Sequence, residues 1–377
     1  GRVVLGRVGP DLLAIETVAR FANGPVRRPD GLHWDAPALV EHALCGLHAA
    51  GPVASIGVDS WAVDYGLVRD GKLLDLPWCY RDGRTASGVE SVHARIGADE
   101  LYRRTGLQHL PFNTIYQLAA ETRLAEAERL LLVPDLVSWS LTGRAICERT
   151  NASTTGLLDV HTREWDPELL ALVGLDPAQL PELVDPGTVI GAHADTPVVA
   201  VGSHDTASAI VGVPMTEPGA AYVSCGTWGL VGVELDAPVV TEAARAANFT
   251  NEGGVDGRTR FLTNVMGTWL LSETLRAWGT DDLSGLVEQA AAYDGPVTVF
   301  DVQDPRFVPP GDMPGRIAAW CREHDRPAPG GRAALVRSIV ASLAEGFAHA
   351  VEQAATLSGR LTPRSVLLPV MRRFYPV

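Results

Sequence analysis

The chain has 377 residues, of which 46% are hydrophobic and 20% charged, and its net charge is −14. This length predicts two domains rather than a single core. The acidic balance, without a long cluster of Lys or Arg, argues against nucleic acid or an acidic membrane surface as a partner, because phosphate backbones are held by basic stripes.

The remaining composition is typical of a cytoplasmic protein with reduced thiols. No apolar run approaches the roughly 20 residues that cross a bilayer, and the N-terminus lacks the basic-then-apolar pattern of a secretory signal. The five scattered cysteines form no Cys-x-x-Cys pair, so neither a zinc ribbon nor a disulfide framework is indicated. The ten histidines are also dispersed, and we predict no metal held by the protein alone.

The first half of the chain mixes strand and helix signals, as expected of an α/β layer architecture. Gly-Pro punctuation marks the first turn, and an Asp followed by Pro marks the first helix start. The predicted elements are, in order, a β-hairpin over Arg2–Phe21, a helix capped by Asp35 and running to about Ala49, a strand over Val53–Asp59, a hairpin turning at Arg69-Asp70-Gly71, and helices over Ala98–Tyr102, Thr114–Arg129 and Pro134–Leu141, the last ending at Gly143.

A stretch rich in Pro, Gly and Asp, Leu175–Pro197, predicts the domain boundary near residue 190. The strand-helix pattern restarts after it. The predicted elements are a strand over Pro197–Val201, a helix over His204–Val211, a hairpin beginning at Ala220–Val223 and turning through Gly226, a strand over Phe261–Val265, helices over Thr268–Trp278 and Ala333–Leu357, and a last strand over Val366–Val370.

The most informative segment, Gly202–Ala209, reads Gly-Ser-His-Asp-Thr-Ala-Ser-Ala. It stands where a buried strand leads into a helix, which is where open α/β sheets place ligands. Asp205 is either a helix cap favoured by the macrodipole or a base that removes a proton from a sugar alcohol during phosphoryl transfer. The small residues that follow favour the base, because they let a ligand approach closely.

Two other segments allow a binding interpretation. Ser224–Gly229 contains a tight turn whose successive N–H groups suit a phosphate, although by itself the segment fits an ordinary hairpin better. Asp59–Tyr65 places carboxylates and an aromatic ring at a strand end, where Trp61 and Asp64 can grip a polyol. The alternative is a buried tryptophan beside solvated aspartates.

Several nucleotide and hydrolase signatures are missing. The sequence contains no Gly-x-x-x-x-Gly-Lys-Ser/Thr loop, no Gly-x-Gly-x-x-Gly after a strand and no Gly-x-Ser-x-Gly elbow. A nucleotide enzyme with this sequence must hold phosphate in another way.

Taken together, the motifs resemble the rhamnulokinase branch of the FGGY carbohydrate kinases, from Gly1 to about Leu361. Each motif is weak alone, but their combination and order are specific. The matching segments are Asp59–Asp64, Tyr80–Asp82, Leu110–Thr114, Val133–Asp135, Thr150–Thr155, Ser203–Ala209, Gly226–Trp228 and Asn251–Gly254.

The resemblance implies an α/β, actin-like fold of two ribonuclease-H-like domains. It predicts a sugar-binding domain over residues 1–190 and a nucleotide-binding domain over residues 191–377. The implied activity is ATP-dependent phosphorylation of the C1 hydroxyl of L-rhamnulose in L-rhamnose catabolism, with Mg²⁺ bridging the phosphates. The partners are therefore a ketose and ATP, while the oligomeric state is not predicted.

The same resemblance assigns roles to individual residues. Asp205 matches the catalytic base, with His204 and Thr206 beside the sugar. Asn264 matches a substrate-contacting asparagine, and Ala62 stands where the family usually has a glycine that approaches the substrate.

On the nucleotide side, Gly226 and Thr227 match a phosphate-contacting loop. Ser272 occupies a position that is often glutamine near the nucleotide. These assignments are expectations carried over from the family.

Two departures from the family pattern stand at the ends of the sequence. The family opens with a phosphate loop that ends in Gly-Arg, here Gly1-Arg2, and it follows its late strand with a triple-glycine loop, where this chain has Pro369–Arg373. The resemblance therefore predicts weak or absent activity for this chain as given. It leaves two alternatives open, a sugar-binding or regulatory relative, and a kinase of another deoxy-ketose or a ketopentose.

Overall fold

A computed structural model describes residues 1–213, 215 and 220–360, and the backbone of residues 365–367. The chain divides into two compact units, which we call the first and second units. The first comprises Gly1–Val211 with Asn251–Thr259, and the second comprises Gly212–Thr250 with Arg260–Val377.

The first unit is built from short strands and helices in alternation. Its elements are β1 Arg2–Gly9, β2 Leu12–Arg20, β3 Val26–Arg28, β4 Gly31–His33, α1 Ala36–Ala50, β5 Tyr65–Arg69, β6 Lys72–Leu73, α2 Thr85–His93, α3 Ala98–Thr105, α4 Thr114–Ala119, β7 Arg129–Leu132, α5 Val133–Thr142, β8 Ile146–Glu148, α6 Arg149–Ala152, α7 Pro167–Val173, β9 Glu182–Val184, β10 Val189–His193, β11 Thr196–Val199 and α8 Asp205–Val211.

The second unit contains a sheet and longer helices. Its elements are β12 Ala221–Cys225, β13 Trp228–Leu235, α9 Glu242–Ala246, β15 Thr259–Met266, α10 Trp269–Trp278, α11 Leu283–Ala291, α12 Met313–Glu323, α13 Arg332–Ser358 and β16 Ser365–Leu367, while β14 Thr250–Gly253 spans the division between the units.

Most of the predicted local signals are confirmed. β1 and β2 pair antiparallel as the first hairpin, and the Asp35 side chain accepts the N–H of Ala38 at the start of α1. Gly143 ends α5 in the left-handed conformation, which glycine adopts without a steric penalty.

In the first unit, the strands of the central sheet run in the order β6-β5-β7. Leu130 and Leu132 of β7 are buried and face a core that includes Ile115, Leu157 and Leu169. β8 pairs parallel with β9. The end of β8 at Glu148 is therefore anchored at the edge of a well-packed core.

The structure divides at Val211, later than the boundary predicted at residue 190. The reason is that β10 and β11 pack on the first unit rather than starting the second. Ile56 N–H donates to Pro197 O at 2.9 Å, and Val198 is fully buried in a cluster with Ile56. The Pro/Gly-rich composition of this region marked turns, not a domain boundary.

Two predicted elements are wrong in extent. Val53–Asp59 forms no regular strand and contributes only isolated bridges, at Ile56 and the adjoining Ser60. The helix predicted over Thr114–Arg129 ends at Ala119. It stops there because the Glu121 carboxylate accepts the N–H groups of the next two residues, which competes with helical hydrogen bonding.

In the second unit, four strands lie in the order β15-β13-β12-β16, with β12 antiparallel to β13 and parallel to β16. The predicted strand Val366–Val370 is observed over Ser365–Leu367, and the rest of it, with Pro369–Arg373, lies outside the described residues. α13 is long and apolar enough to cross a membrane, but 56% of its most apolar window is buried. That burial is typical of a core helix.

Candidate functional site

Two of the predicted motifs lie side by side in the first unit. Asp205 is the first residue of α8, and its N–H donates to Ser60 O at 2.9 Å. Ser60 N–H in turn donates to Ser203 O at 2.9 Å, so that Ser60 pairs with His204 in a parallel bridge. The backbone thus brings Asp59–Tyr65 next to the Ser-His-Asp-Thr segment.

The Asp205 carboxylate is accessible, while its neighbours are buried. Its side chain is 56% exposed, whereas His204 and Thr206 are each 8% exposed. Thr206 Oγ1 donates to Asp205 Oδ1 at 3.2 Å, and His204 Nδ1 lies 3.4 Å from Glu252 Oε2. An exposed carboxylate that is held in place by buried neighbours can accept a proton from a bound hydroxyl group.

The structure adds Glu148, which the sequence analysis did not single out. Its buried carboxylate accepts hydrogen bonds from Ser203 N and Oγ at 2.9 and 2.8 Å. It also accepts the N–H groups of Thr150 and Asn151 at the start of α6. An acidic residue two positions before Thr150, where a predicted motif begins, is the signal that could have identified Glu148 as a cap.

Asp64 is not placed as predicted. Instead of facing a polyol, its carboxylate is fully buried and accepts four N–H groups from the protein. Oδ2 accepts Trp34 Nε1 at 2.5 Å, Trp61 Nε1 at 3.0 Å and Tyr80 N at 3.2 Å, and Oδ1 accepts Gln117 Nε2 at 2.9 Å. These donors occupy the lone pairs that sugar hydroxyls would need.

Three of the residues bonded to Asp64, namely Trp34, Trp61 and Tyr80, form an aromatic cluster with Phe112. Ring centroids are 4.4 Å apart for Trp34 and Trp61, 6.4 Å for Trp34 and Tyr80, and 5.2 Å for Tyr80 and Phe112. Trp61 directly follows Ser60 and is half-buried. The cluster therefore gives the segment beside Asp205 a rigid aromatic face.

Burial raises the pKa of Asp64 to about 6, against the lowering effect of its four N–H donors. The folded chain therefore holds this proton more tightly than the unfolded chain does. We expect the free energy of unfolding to fall by about 3 kcal/mol from this group as pH rises from about 4 to 6, and to change little from it above that range.

This pH dependence is measured by denaturant unfolding of the parent chain and Asp64→Asn between pH 4 and 7. The difference in the free energy of unfolding between the parent and Asp64→Asn should shrink as pH rises, because only the parent has a titratable group at residue 64. The exposed Asp11→Asn is the control, and its profile should run parallel to that of the parent. Parallel profiles for the parent and Asp64→Asn would contradict the assignment.

The segment between Ala62 and Asp64 is strained. Val63 has φ 68, a left-handed conformation that is rare for a β-branched residue. Hydrogen bonds to Val63 O from Thr114 Oγ1 at 2.7 Å and Gln117 Nε2 at 3.2 Å hold it there. Such strain is found most often at functional segments, and here it falls beside the predicted substrate contact Ala62, which is half-buried.

The predicted nucleotide residues lie in the second unit. Gly226 and Thr227 form the turn between β12 and β13, and the turn is fixed by the start of α10. Thr268 N and Oγ1 both donate to Gly226 O at 2.8 Å, and Thr227 is exposed. The turn thus combines a rigid backbone with an accessible hydroxyl.

Ser272 and Asn264 also lie in the second unit. Ser272 is exposed on α10, one turn after Thr268. Its hydroxyl donates a hydrogen bond to Thr268 O at 3.1 Å. Asn264 lies on β15 and accepts a bond from Gln303 Nε2 at its backbone oxygen. Within residues 1–213, 215 and 220–360, no group of three or more His, Cys, Asp or Glu side chains is arranged to hold a metal ion.

Comparison with known families matches most of the chain. The N-terminal domain of the FGGY family of carbohydrate kinases matches residues 47–212, and the C-terminal domain of that family matches residues 221–368.

Curated relatives cover nearly all of the chain. A rhamnulokinase of Pectobacterium carotovorum subsp. carotovorum is 43% identical over 361 residues, which are 91% of this chain and 73% of that protein. A rhamnulokinase of Enterococcus faecalis is 39% identical over 381 residues, covering 95% of this chain and 76% of that protein.

Solved structures share the fold. A xylulose kinase from Rhodospirillum rubrum superposes with a TM-score of 0.74 at 19% identity, covering 97% of this chain and 78% of that one. The glycerol kinase of Plasmodium falciparum gives a TM-score of 0.70 at 14% identity, covering 95% and 76%. The predicted α/β, actin-like two-domain kinase fold is thereby confirmed.

Proposed function

The chain belongs to the FGGY family of carbohydrate kinases, and from this premise we propose that it transfers the γ-phosphoryl group of ATP to the C1 hydroxyl of L-rhamnulose. The observation that carries the proposal is the pairing of Ser60 with His204, which sets Asp205 beside the Trp61 segment. Identity of about 40% to rhamnulokinases over nine-tenths of the chain favours the enzyme over a non-catalytic sugar-binding relative.

In the proposed reaction, Asp205 acts as the general base. The C1 oxygen attacks the γ-phosphorus, the hydroxyl proton passes to the Asp205 carboxylate, and ADP leaves. Phosphoryl transfer needs little covalent help from the protein, so positioning and charge neutralisation supply most of the acceleration. Mg²⁺ is proposed to enter with ATP as part of the nucleotide substrate, and we place the reaction in the cytoplasm because ATP is the donor.

The sugar-side roles follow from position and resemblance. Trp61 supplies an aromatic face, which suits the C–H side of a sugar and its C6 methyl group. His204, Thr206 and the backbone at Ala62 are proposed to orient the hydroxyl groups. Asp64 is proposed to contribute indirectly, by accepting the hydrogen bond that positions the Trp61 side chain.

The roles proposed for the second unit rest on resemblance alone. We assign Asn264 to the sugar, and Gly226, Thr227 and Ser272 to the nucleotide. The exposed hydroxyl of Thr227 and its fixed turn suit a phosphate contact, because phosphate is bound by convergent donors.

A substrate panel tests the function. With Mg-ATP and coupled detection of ADP release, we expect kcat/KM for L-rhamnulose to exceed that for D-xylulose by at least about tenfold, the discrimination that one apolar contact commonly provides. The Asp205→Asn variant measures the rate of ADP release that does not depend on the proposed base. Equal or better use of the ketopentose would contradict the substrate assignment, and the absence of sugar-dependent ADP release with every ketose would contradict the kinase proposal.

A further inference from the structure

Resting on the proposed function, we propose that Glu148 is a positioning residue for phosphoryl transfer, and that its buried carboxylate sets the position of Asp205 through Ser203. Glu148 is 1% exposed and stands at the end of β8, where the parallel pairing with β9 fixes its backbone. It is too deeply buried to meet a substrate itself. Its contribution must therefore act through the residues that it bonds.

The Glu148 carboxylate joins two segments that are far apart in the sequence. On one side, it accepts Thr150 N at 2.8 Å, Thr150 Oγ1 at 2.5 Å and Asn151 N at 3.2 Å. On the other, it accepts Ser203 N at 2.9 Å and Ser203 Oγ at 2.8 Å. Thr150 N bonds Oε1, and the other four donors bond Oε2, so both carboxylate oxygens accept hydrogen bonds.

The site requires an ionised carboxylate rather than any polar side chain. All five contacts come from N–H or O–H donors, and bonds to a charged acceptor are roughly twice as strong as neutral ones. Burial raises the pKa of Glu148, but the bonds from Thr150 and Ser203 act in the opposite direction. An amide at this position has one acceptor oxygen and no charge. Its NH2 group must face either Thr150 N, which bonds Oε1, or the four donors that bond Oε2, so the contacts that join the two segments are weakened.

The charge of Glu148 disfavours ionisation of a neighbouring buried acid. Burial and the negative charge of Glu148 together raise the pKa of Asp135 well above its usual range, and they act in the same way on the Cys147 thiol. Asp135 is 1% exposed, and no described residue hydrogen-bonds its Oδ2 atom. Both oxygens of Glu148 accept hydrogen bonds, whereas Oδ2 of Asp135 accepts none from the described residues, so the hydrogen bonding favours the negative charge on Glu148.

Only one residue, His204, separates Ser203, which Glu148 bonds, from the proposed base Asp205. Ser203 is held by Glu148 at its N–H and by Ser60 at its carbonyl, and Asp205 N–H then donates to Ser60 O. His204 N–H also faces Thr150 Oγ1 at 3.4 Å, a hydroxyl that Glu148 orients. Releasing Ser203 would therefore let Asp205 move relative to the bound hydroxyl.

The test measures Glu148→Gln in the parent chain and in the Asp205→Asn background. In the parent we expect kcat to fall by about 10- to 100-fold with little change in KM for the ketose, the size of loss produced by misplacing a reacting group by about 1 Å. In the Asp205→Asn background we expect less than about a twofold further loss, because a positioning residue has no effect once the group that it positions is disabled. Exposed Glu90→Gln is the matched control.

A purely structural role would give a different result. Loss of folded protein lowers the rate by the same factor in both backgrounds, so equal losses would overturn the proposal, as would an unchanged kcat for Glu148→Gln. Should that variant fail to fold, Ser203→Ala decides, since it removes one hydroxyl bond and keeps the backbone bond. If Ser203→Ala lowers kcat by about threefold or more in the parent but not in the Asp205→Asn background, the proposal is supported. If Ser203→Ala leaves kcat of the parent unchanged, the proposal is overturned.

The failure of the proposed function is separable from the failure of this inference. A parent chain without ketose-dependent ADP release contradicts the kinase reaction itself. An active parent whose rate is insensitive to Glu148→Gln contradicts only the role of Glu148.

Discussion

Replacing Asp205 with asparagine is expected to lower kcat by about 10²–10⁴-fold and to leave KM for the ketose within about threefold. The substitution keeps the shape of the side chain and removes the group that accepts the hydroxyl proton. The side chain is 56% exposed, so we expect removal of its charge to disturb the fold little. Its backbone bond to Ser60 O is unaffected by the change.

Initial rates over a range of ketose concentrations, with Mg-ATP saturating, measure this effect. Asp195→Asn is the control, because it removes another exposed aspartate of the same unit, at the turn between β10 and β11, and its rate should equal that of the parent. An Asp205→Asn rate within about tenfold of the parent would exclude Asp205 as the base.

Local features of the fold could be predicted because short-range chemistry determines them. The cap at Asp35, the glycine that ends α5 and the β12-β13 hairpin each depend on a few neighbouring residues. The errors arose where distant contacts decide. Thr114–Arg129 reads as one helix, but its last residue, Arg129, begins β7, which pairs with β5.

The candidate site shows the same division. Asp205 and its neighbours could be identified from the strand-to-helix transition and the family pattern. Their pairing with Ser60 is a contact between segments remote in the sequence, and no local pattern encodes it. The burial of Asp64 could not be predicted either. The sequence around Asp64 does not distinguish a carboxylate that faces solvent from one that is enclosed by two indole rings.

Glu148 was missed for a related reason. An acid beside a Thr-Asn pair has the form of an ordinary helix cap, and Glu148 does cap α6. Its second role, bonding Ser203, depends on how β8 lies against the segment before α8. A residue that joins two segments is visible only when both are in place.

For the nucleotide side, Gly267→Ala is expected to raise KM for ATP by about tenfold or more. A Cβ atom at residue 267 would lie 2.5 Å from Gly226 O, 2.6 Å from Trp228 C and 2.8 Å from Thr227 O. All three are backbone atoms of the turn that is proposed to contact phosphate, so the turn itself must move. Forcing an extra carbon into a packed site costs about 1–3 kcal/mol, and displacing the turn also disturbs its bonds to Thr268.

Titration of the parent and the variant with Mg-ATP by calorimetry, together with KM from initial rates, measures the change. KM for the ketose should change much less than KM for ATP, because three of the proposed sugar-side residues, Trp61, His204 and Asp205, belong to the first unit. The fourth, Asn264, lies on β15 before Gly267, and none of the three atoms that the new Cβ would crowd belongs to it. Gly330→Ala is the control, since a Cβ there meets no atom within 4 Å, and both of its constants should match those of the parent. If Gly267→Ala bound ATP as tightly as the parent while its folded fraction was unchanged, the turn at Gly226 and Thr227 would not be a phosphate contact, and the nucleotide site would have to be sought on other residues of the second unit.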